Sequence, residues 1–389
     1  MTFTRFFRMS LGAAALLAAL PLAASAQIKV GVTVSATGPA ASLGIPERDT
    51  ISLLPTEIGG QNVQYIILDD ATDTTQAVKN IRKLTSEDQV DVVLGTSVMP
   101  GSLAMSDVAA ETGTPMISVA AGTKLVQPVD GPRKWVFKTT QNDVLMANVL
   151  ADAMVKQGVK TLGFIGFSDA YGDGWAQEMK TAADAKGIEL VAEERFARAD
   201  TSVTGQILKL LSRQPDGILI AASGTPVALP QRELVERGYK GQIYQTHGAA
   251  NNDVLRVCGK ACEGMILPAG PLLVAAQLPD DNPVKASALK YTQAYEGAHG
   301  AGTINTFGGH MWDAGQLIID AIPRALDTGA KPGTPEFRAA LRDSLEQVRE
   351  LPASQGVFNM SETEHAGMDE RGRVLVQVVD GKWTYMPGF

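Results

Sequence analysis

Short runs rich in Val, Ile and Leu alternate with longer segments whose apolar residues recur at helical spacing, and this alternation covers most of a chain of 389 residues. Runs of the first kind make buried strands and segments of the second kind make surface helices, which together specify βαβ units around a mostly parallel sheet. Strands are expected at Ile28–Val34 and over 63–68, 90–94 and 115–119, with helices over 74–86 and 102–112 between them. In the first of those helices Ala77, Val78, Ile81 and Leu84 share one face, and polar residues take the other. The series restarts after Trp135-Val-Phe-Lys138 with a helix over 143–157. Strands at Thr161–Phe167, 188–191, Gly217–Ala221 and 243–245, separated by helices over 174–185, Thr204–Ser212 and 227–237, repeat the layout. The fold class is α/β, built as two similar lobes and not as two unrelated domains.

The remainder does not read as a third domain. Residues 265–267 are strand-like, and 285–299, 309–326 and 335–346 are helical. Val357-Phe-Asn-Met360 and the stretches 374–379 and 382–385 read as strands, the last two joined by the turn Asp380-Gly381. These final segments are too short for a core of their own, so they must pack on the lobes already built. The chain then crosses between lobes more than once.

Ahead of the first strand, Arg5 and Arg8 precede an Ala/Leu run over 11–22 that ends in Ala24-Ser25-Ala26. This is a secretory signal with a cleavage site, because the run is shorter than the about 20 residues a membrane anchor needs. Removing 26 of 389 residues leaves 363 and takes the formal charge from −8 to −10 through the loss of Arg5 and Arg8. An acidic exported chain lacks the basic face that nucleic acid requires. A mature chain of that length exceeds what one core serves, in keeping with two lobes. Its two cysteines, Cys258 and Cys262, are spaced as C-x3-C, and the four histidines form no pair with metal spacing. In an oxidising compartment a disulfide is the expected state, and its short loop adds little stability.

No motif for catalysis emerges. Gly163-Phe-Ile-Gly-Phe-Ser168 lacks the pattern of a nucleophile elbow, and Ser223-Gly-Thr225 has no histidine nearby. The Gly-rich stretches carry neither G-x-G-x-x-G nor a P-loop ending. Neither an enzyme nor a cofactor is expected. The chain offers instead hydroxyl and glycine residues where strands run out into helices, as in Gly95-Thr-Ser-Val-Met-Pro-Gly-Ser102 and Ala120-Ala-Gly-Thr123. Ligands of open α/β sheets bind at those strand ends, and N–H groups at a helix start favour an anion. Two such turns side by side can hold a carboxylate, while any one of them serves equally as a helix cap.

Several segments extend this reading by their order and spacing. They are Ile28-Lys-Val-Gly-Val with Ser35-Ala-Thr-Gly-Pro-Ala, Val93-Leu-Gly95, Thr114-Pro-Met-Ile-Ser118, Asp169-Ala-Tyr-Gly-Asp-Gly174, Asp200-Thr-Ser-Val-Thr204 and the stretch 307–314. Over nearly the whole mature chain this set resembles the periplasmic solute-binding proteins of ABC importers, in the Leu/Ile/Val-binding branch. The resemblance implies two Rossmann-like lobes joined by three hinge crossings, near 138–141, near 248–265 and before Gln355. It implies a first lobe of 27–140 plus 267–345 and a second of 141–266 plus 346–389. The lobes are expected to close on a ligand in the cleft and present a surface to membrane permease subunits. A monomer is expected.

In amino-acid-binding members of the branch, hydroxyl and backbone groups of the first lobe meet the ligand carboxylate. An acidic residue of the second lobe holds the ammonium. Matching turns place the first-lobe contacts here at Ser97, Val98 and Met99 and at Ala120, Ala121, Gly122 and Thr123. Tyr171 takes the place of a cleft-lining tyrosine, and Ser223, Gly224 and Thr225 form another lining position. Where the acidic residue should follow the strand 243–245, this chain has His247. A buried ammonium without an anionic partner is costly, whereas histidine can donate to a carboxylate. Leu43 stands where some members carry a bulky aromatic, which leaves more room.

The expected ligand is a small carboxylate, an aromatic acid ahead of a branched-chain amino or keto acid. His310 and Trp312 read as core, and His365 reads as part of a surface loop. Delivery of the ligand to a membrane sensor instead of a permease is an alternative that the sequence does not separate, and a hydrolase is a third.

Overall fold

The structure is a computed structural model that describes Thr2 and residues 27–389. The expected secretory leader lies, Thr2 apart, outside the described residues. In the first lobe β1 (Ile28–Val34) leads into α1 (Ala41–Ile51), and β2 (Glu57–Ile58) pairs antiparallel with β3 (Gln61–Asp69). There follow α2 (Thr74–Arg82), β4 (Val92–Gly95), α3 (Met99–Thr112), β5 (Met116–Ser118) and β6 (Val136–Lys138). The six strands lie in the order β2-β3-β1-β4-β5-β6, parallel except at β2. The apolar run of β4 and the burial of every residue of β1 except the half-buried Lys29 fit a sheet covered on both faces, which a parallel sheet under helices requires.

After the chain leaves β6, α4 (Asp143–Lys156) opens the second lobe, followed by β7 (Thr161–Phe167), α5 (Ala170–Ala185), β8 (Glu189–Phe196) and α6 (Thr204–Ser212). Then come β9 (Gly217–Ala221), α7 (Ala228–Glu236), β10 (Gln242–Gln245), α8 (Asn252–Cys258) and β11 (Ile266–Ala269). Three helices return to the first lobe: α9 (Lys285–His299), α10 (Thr306–Asp327) and α11 (Pro335–Leu345). The short pair β12 (Leu351–Pro352) and β13 (Val357–Phe358) precedes β14 (Val374–Val379) and β15 (Lys382–Met386). The second sheet has the order β15-β14-β11-β10-β9-β7-β8, parallel except at β14, which runs antiparallel to both of its neighbours, β11 and β15. Cys258 and Cys262 are joined, bridging the end of α8 to the turn that follows.

Two apolar clusters account for the core. One lies between a face of the first sheet and the returning helices, with Val32, Phe137, Met311, Leu317 and Phe337 among its members. The other begins on the opposite face of that sheet, at Met99 and Met116, and runs on into the second lobe through Trp175 and Ile220. The two lobes therefore share apolar packing beside the cleft as well as hinge segments. Among the described residues no helix is long and apolar enough to cross a membrane.

Three expectations about the path of the chain are corrected. The second crossing falls after β11, since Ile266 to Ala269 pair with β14 of the second sheet. The boundary placed at 266/267 therefore moves to Gly270. The third crossing lies near 369–373 and not before Gln355, because Val348, Val357, Phe358 and Met360 bury in the first-lobe cluster. That stretch is also tied down by backbone: Asp313 of α10 accepts from the N–H groups of Ser354 and Gln355 at 2.7 and 2.9 Å. Its residues 346–368 belong with the first lobe. His365 is not on the surface. It is fully buried, stacked on Phe137 with ring centroids 4.0 Å apart, with Nδ1 2.9 Å from the Val136 carbonyl oxygen.

Candidate functional site

Nearly every parallel strand sends a side chain from its carboxyl end into one cavity between the lobes, as the geometry of open α/β sheets predicts. Leu43 comes from the helix after β1, Ser97, Val98 and Met99 follow β4, Val119 and Ala121 follow β5, and Thr140 follows β6. Across the cleft, Tyr171 follows β7, Arg198 follows β8, Ser223 follows β9, and His247 and Gly248 follow β10. Phe307 and His310 close the hinge side from the first turns of α10. About 350 Å³ within these residues, open solvent at the mouth included, is free of protein atoms. Leu43, Val98, Met99, Val119, Tyr171 and Phe307 make most of its wall apolar.

Local structure aims the polar members. Asp169 caps α5, accepting from the N–H of Tyr171 at 2.9 Å, which sets the first turn of the helix and Tyr171 with it. The same carboxylate takes Arg198 Nε at 2.7 Å. Arg198 also donates from Nη1 to Ser223 Oγ at 3.0 Å, and its guanidinium lies 4.1 Å from the centroid of the Phe167 ring. Among the described residues its Nη2 makes no hydrogen bond, so the fork keeps a donor beside the cavity. Asn305 caps α10 by accepting from Phe307 N at 2.8 Å. His310, one turn on, has Nδ1 3.0 Å from the Thr139 carbonyl oxygen. That contact makes Nδ1 the donor and leaves Nε2 as an acceptor.

His247 differs from the other buried histidines. Among the described residues neither of its ring nitrogens has a hydrogen-bond partner. Its ring stands 5.6 Å from that of Trp175 and 6.5 Å from that of Tyr171, centroid to centroid. Burial, helped by His310 and Lys138, pushes its pKa down to about 3. At neutral pH it is an uncharged imidazole with one donor and one acceptor unused. The Tyr171 hydroxyl is held by Thr246 Oγ1 at 2.7 Å, and burial raises its pKa far above the ordinary range. Among the described residues no carboxylate lines the cavity, and the nearby Asp169 is committed to Arg198. A ligand ammonium would find no counter-charge there, while a ligand carboxylate would find N–H donors.

The expected contacts divide three ways. Leu43, Ser97, Val98, Met99, Ala121, Tyr171, Ser223 and His247 line the cavity. Ala120, Gly122 and Thr123 sit behind it: Ala120 binds Ser118 Oγ and Thr140 Oγ1 through its backbone, and Gly122 packs on Met99. The buried Asp143 takes the Thr123 N–H, and among the described residues the Thr123 hydroxyl has no partner. Gly224 and Thr225 span the lobes without lining the cavity. Thr225 N donates to Ser42 Oγ at 3.2 Å, and a Cβ on Gly224, whose φ is +67°, would lie 2.6 Å from Leu43 Cδ1.

His310, read as core, is buried and yet faces the cavity, whereas Trp312 packs in the core as expected. Sequence reasoning missed Val119, Thr140, Arg198, Gly248 and Phe307. For Arg198 the available signal was its position just beyond a strand end, at the carboxyl edge where the other contacts lie.

Comparison with known proteins fits this architecture. A family model described as periplasmic binding protein matches residues 27–382. An extracellular ligand-binding receptor from Rhodopseudomonas palustris HaA2 is 46% identical, with a TM-score of 0.90 over 93% of this chain and 100% of that one. The Leu/Ile/Val-binding protein homolog 3 of Brucella melitensis biotype 1 is 25% identical over 349 residues, 88% of this chain and 89% of that protein. An R. palustris ABC-transporter solute-binding protein in complex with benzoate shares the fold, with a TM-score of 0.77 at 21% identity over 92% of this chain and 95% of its own. From the two lobes, the cleft between them and the match along residues 27–382, the chain belongs to the periplasmic binding protein family.

Proposed function

We propose that this protein is the solute-capturing component of an ABC importer and that its ligand is a small carboxylate, with aromatic acids preferred. Membership of the family makes it a solute-binding protein of the transporter type and implies the periplasm as its place of action. The observation that supports the ligand class is His247: a buried imidazole with both nitrogens unpartnered, facing an apolar cavity that no acidic side chain lines.

The energetics require both the wall and the polar groups. Burying a phenyl ring removes about 150 Å² of apolar surface from water, worth roughly 4 kcal/mol at about 25 cal/mol per Å². Micromolar binding needs about 8 kcal/mol, so hydrogen bonds to the carboxylate must supply a similar amount after the cost of association. Arg198 Nη2, the neutral His247 N–H and the Ser97 hydroxyl are the donors that this reading assigns to it, since Thr140 Oγ1 already donates to the Ala120 carbonyl. The benzoate held by the R. palustris neighbour agrees with an aromatic acid. The Leu/Ile/Val-binding relatives support a second reading, a branched-chain 2-oxo acid, which keeps the carboxylate and lacks the ammonium.

A thermal-shift panel of benzoate, phenylacetate, 4-methyl-2-oxopentanoate and leucine tests the choice, since a ligand that binds only the folded state must raise the melting temperature. Aromatic acids are expected to give the largest rise. Strong stabilisation by leucine with none by the aromatic acids would overturn the reading.

A further inference from the structure

Glu47 lies on α1, fully buried, four residues beyond the cavity-lining Leu43. Its Oε2 is hydrogen-bonded to Ser97 Oγ, and among the described residues Oε1 has no partner. Ser97 Oγ also accepts from Ser35 N at 2.9 Å, and Ser97 lines the cavity. We infer that Glu47 is a positioning residue for the ligand carboxylate: it gives its own proton to Ser97 Oγ and thereby frees the serine proton for the ligand. The inference rests on the carboxylate reading above.

A serine hydroxyl has one proton and two acceptor sites. With Glu47 ionised, Ser97 must spend its proton on Glu47, and what remains toward the cavity is a lone pair that repels a carboxylate. With Glu47 neutral, its O–H fills one acceptor site of Ser97, the Ser35 N–H fills the other, and the hydroxyl proton is free to point at the ligand. No atom changes its bonding apart from the position of that one proton.

The surroundings favour the neutral acid. Asp70, at the end of β3, is the acid next to it, held by Ser35 Oγ at 2.6 Å, by Thr72 N at 3.0 Å and by Thr96 Oγ1. On α10, which packs against α1, the titratable groups are His310 and Asp313 in the first turns and Asp320, Arg324 and Asp327 toward its end. The cations of the two helices are taken by their own acids, Arg324 by Asp320 and Arg48 of α1 by Asp49, and neither acts on Glu47. Burial first, and then Asp70, raise the Glu47 pKa well above the ordinary carboxylate range. A second negative charge arriving with the ligand acts in the same sense.

Two measurements test this. In the ligand-free protein, the infrared difference between wild type and Glu47→Gln should contain the carbonyl stretch of a buried protonated carboxylic acid at neutral pH. Calorimetric titration of benzoate should show wild-type affinity falling by about tenfold or more as pH rises through the range in which the infrared band of the Glu47 acid disappears. In Glu47→Gln the amide N–H replaces the acid O–H on Ser97, so affinity at pH 6 should stay within about threefold and its pH dependence should flatten.

An ionised Glu47 in the infrared spectrum, or a Gln variant with the wild-type pH profile, overturns the inference. If the Gln variant does not fold, the δ-carbon shift of Glu47 in the isotope-labelled wild type reads the same proton. A wild type that shows the acid band but binds neither benzoate, phenylacetate nor 4-methyl-2-oxopentanoate overturns the carboxylate ligand, and the role of Ser97 with it, while the neutral state of Glu47 stands.

Discussion

His247 and Arg198 illustrate two ways in which a side chain becomes available to a ligand. His247 is starved of partners by burial, and Arg198 is oversupplied with donors, two of which Asp169 and Ser223 take. Replacing His247 by Ala should weaken binding of the cognate acid by more than tenfold, about 1.4 kcal/mol, in a calorimetric titration. Unchanged affinity would remove the imidazole from the site. Arg198→Lys keeps the charge and loses the fork that reaches Asp169 and Ser223 together, so affinity should again fall by about tenfold. Lysine restoring wild-type affinity would show that charge alone suffices. His247 was legible in the sequence because its place after a strand end sets it against an expected acidic residue. Arg198 was not, because Phe-Ala-Arg-Ala-Asp reads as any polar surface loop until β8 is known to end at Phe196.

The loops at the strand ends also decide how the lobes meet. Ser42 and Leu43 on α1 touch Thr225 and Gly224 beyond β9, so one short contact joins the two halves of the cleft. A side chain at Gly224 would collide with Leu43 and would need a positive φ that β-branched residues avoid. Gly224→Val is expected to hold the lobes apart, lowering ligand affinity at least tenfold and enlarging the radius of gyration of the ligand-loaded protein in X-ray scattering. A variant that closes and binds like wild type would show that the contact is incidental. Gly44 is a second close approach, since a Cβ there would meet the Ser35 carbonyl at 2.2 Å, and it lets α1 start against the end of β1. Strands and helices were readable from periodicity. Segment 346–368 was harder, because its apolar residues, Val348, Val357, Phe358 and Met360 among them, carry no mark of which lobe will bury them.

For the molecule as a whole, burial of ionisable groups near the hinge sets how stability depends on pH. His247 and His310 are both pushed down to about 3, chiefly by burial, from the ordinary 6.5. The unfolded chain takes up protons on them near pH 6.5 that the folded protein refuses. Their contribution to stability is present above pH 6.5 and is lost as pH falls toward 3. Asp313 acts in the opposite sense. Burial raises it to about 7, so its contribution is complete below 3.8 and is lost as pH rises through 7. Each histidine should cost about 2 kcal/mol between pH 6.5 and pH 5. Melting curves of His247→Leu should therefore fall less steeply over that interval than those of wild type. An unchanged slope would mean that His247 takes up its proton within the fold.

Local physics made the α/β layout, the two lobes and most cleft-lining turns readable from the amino-acid order. Alternating apolar runs admit few packings, and ligands of parallel sheets collect at the carboxyl ends of strands. The pairing of Cys258 with Cys262 was readable for the same reason, being a contact between near neighbours. What needed the tertiary structure were contacts between residues far apart in the chain: Arg198 with Asp169 and Ser223, Glu47 with Ser97, His310 turned toward the cleft, and His365 stacked on Phe137. Such contacts depend on which loops the folded lobes bring together, and periodicity, which reports only burial along one element, carries no record of the partner.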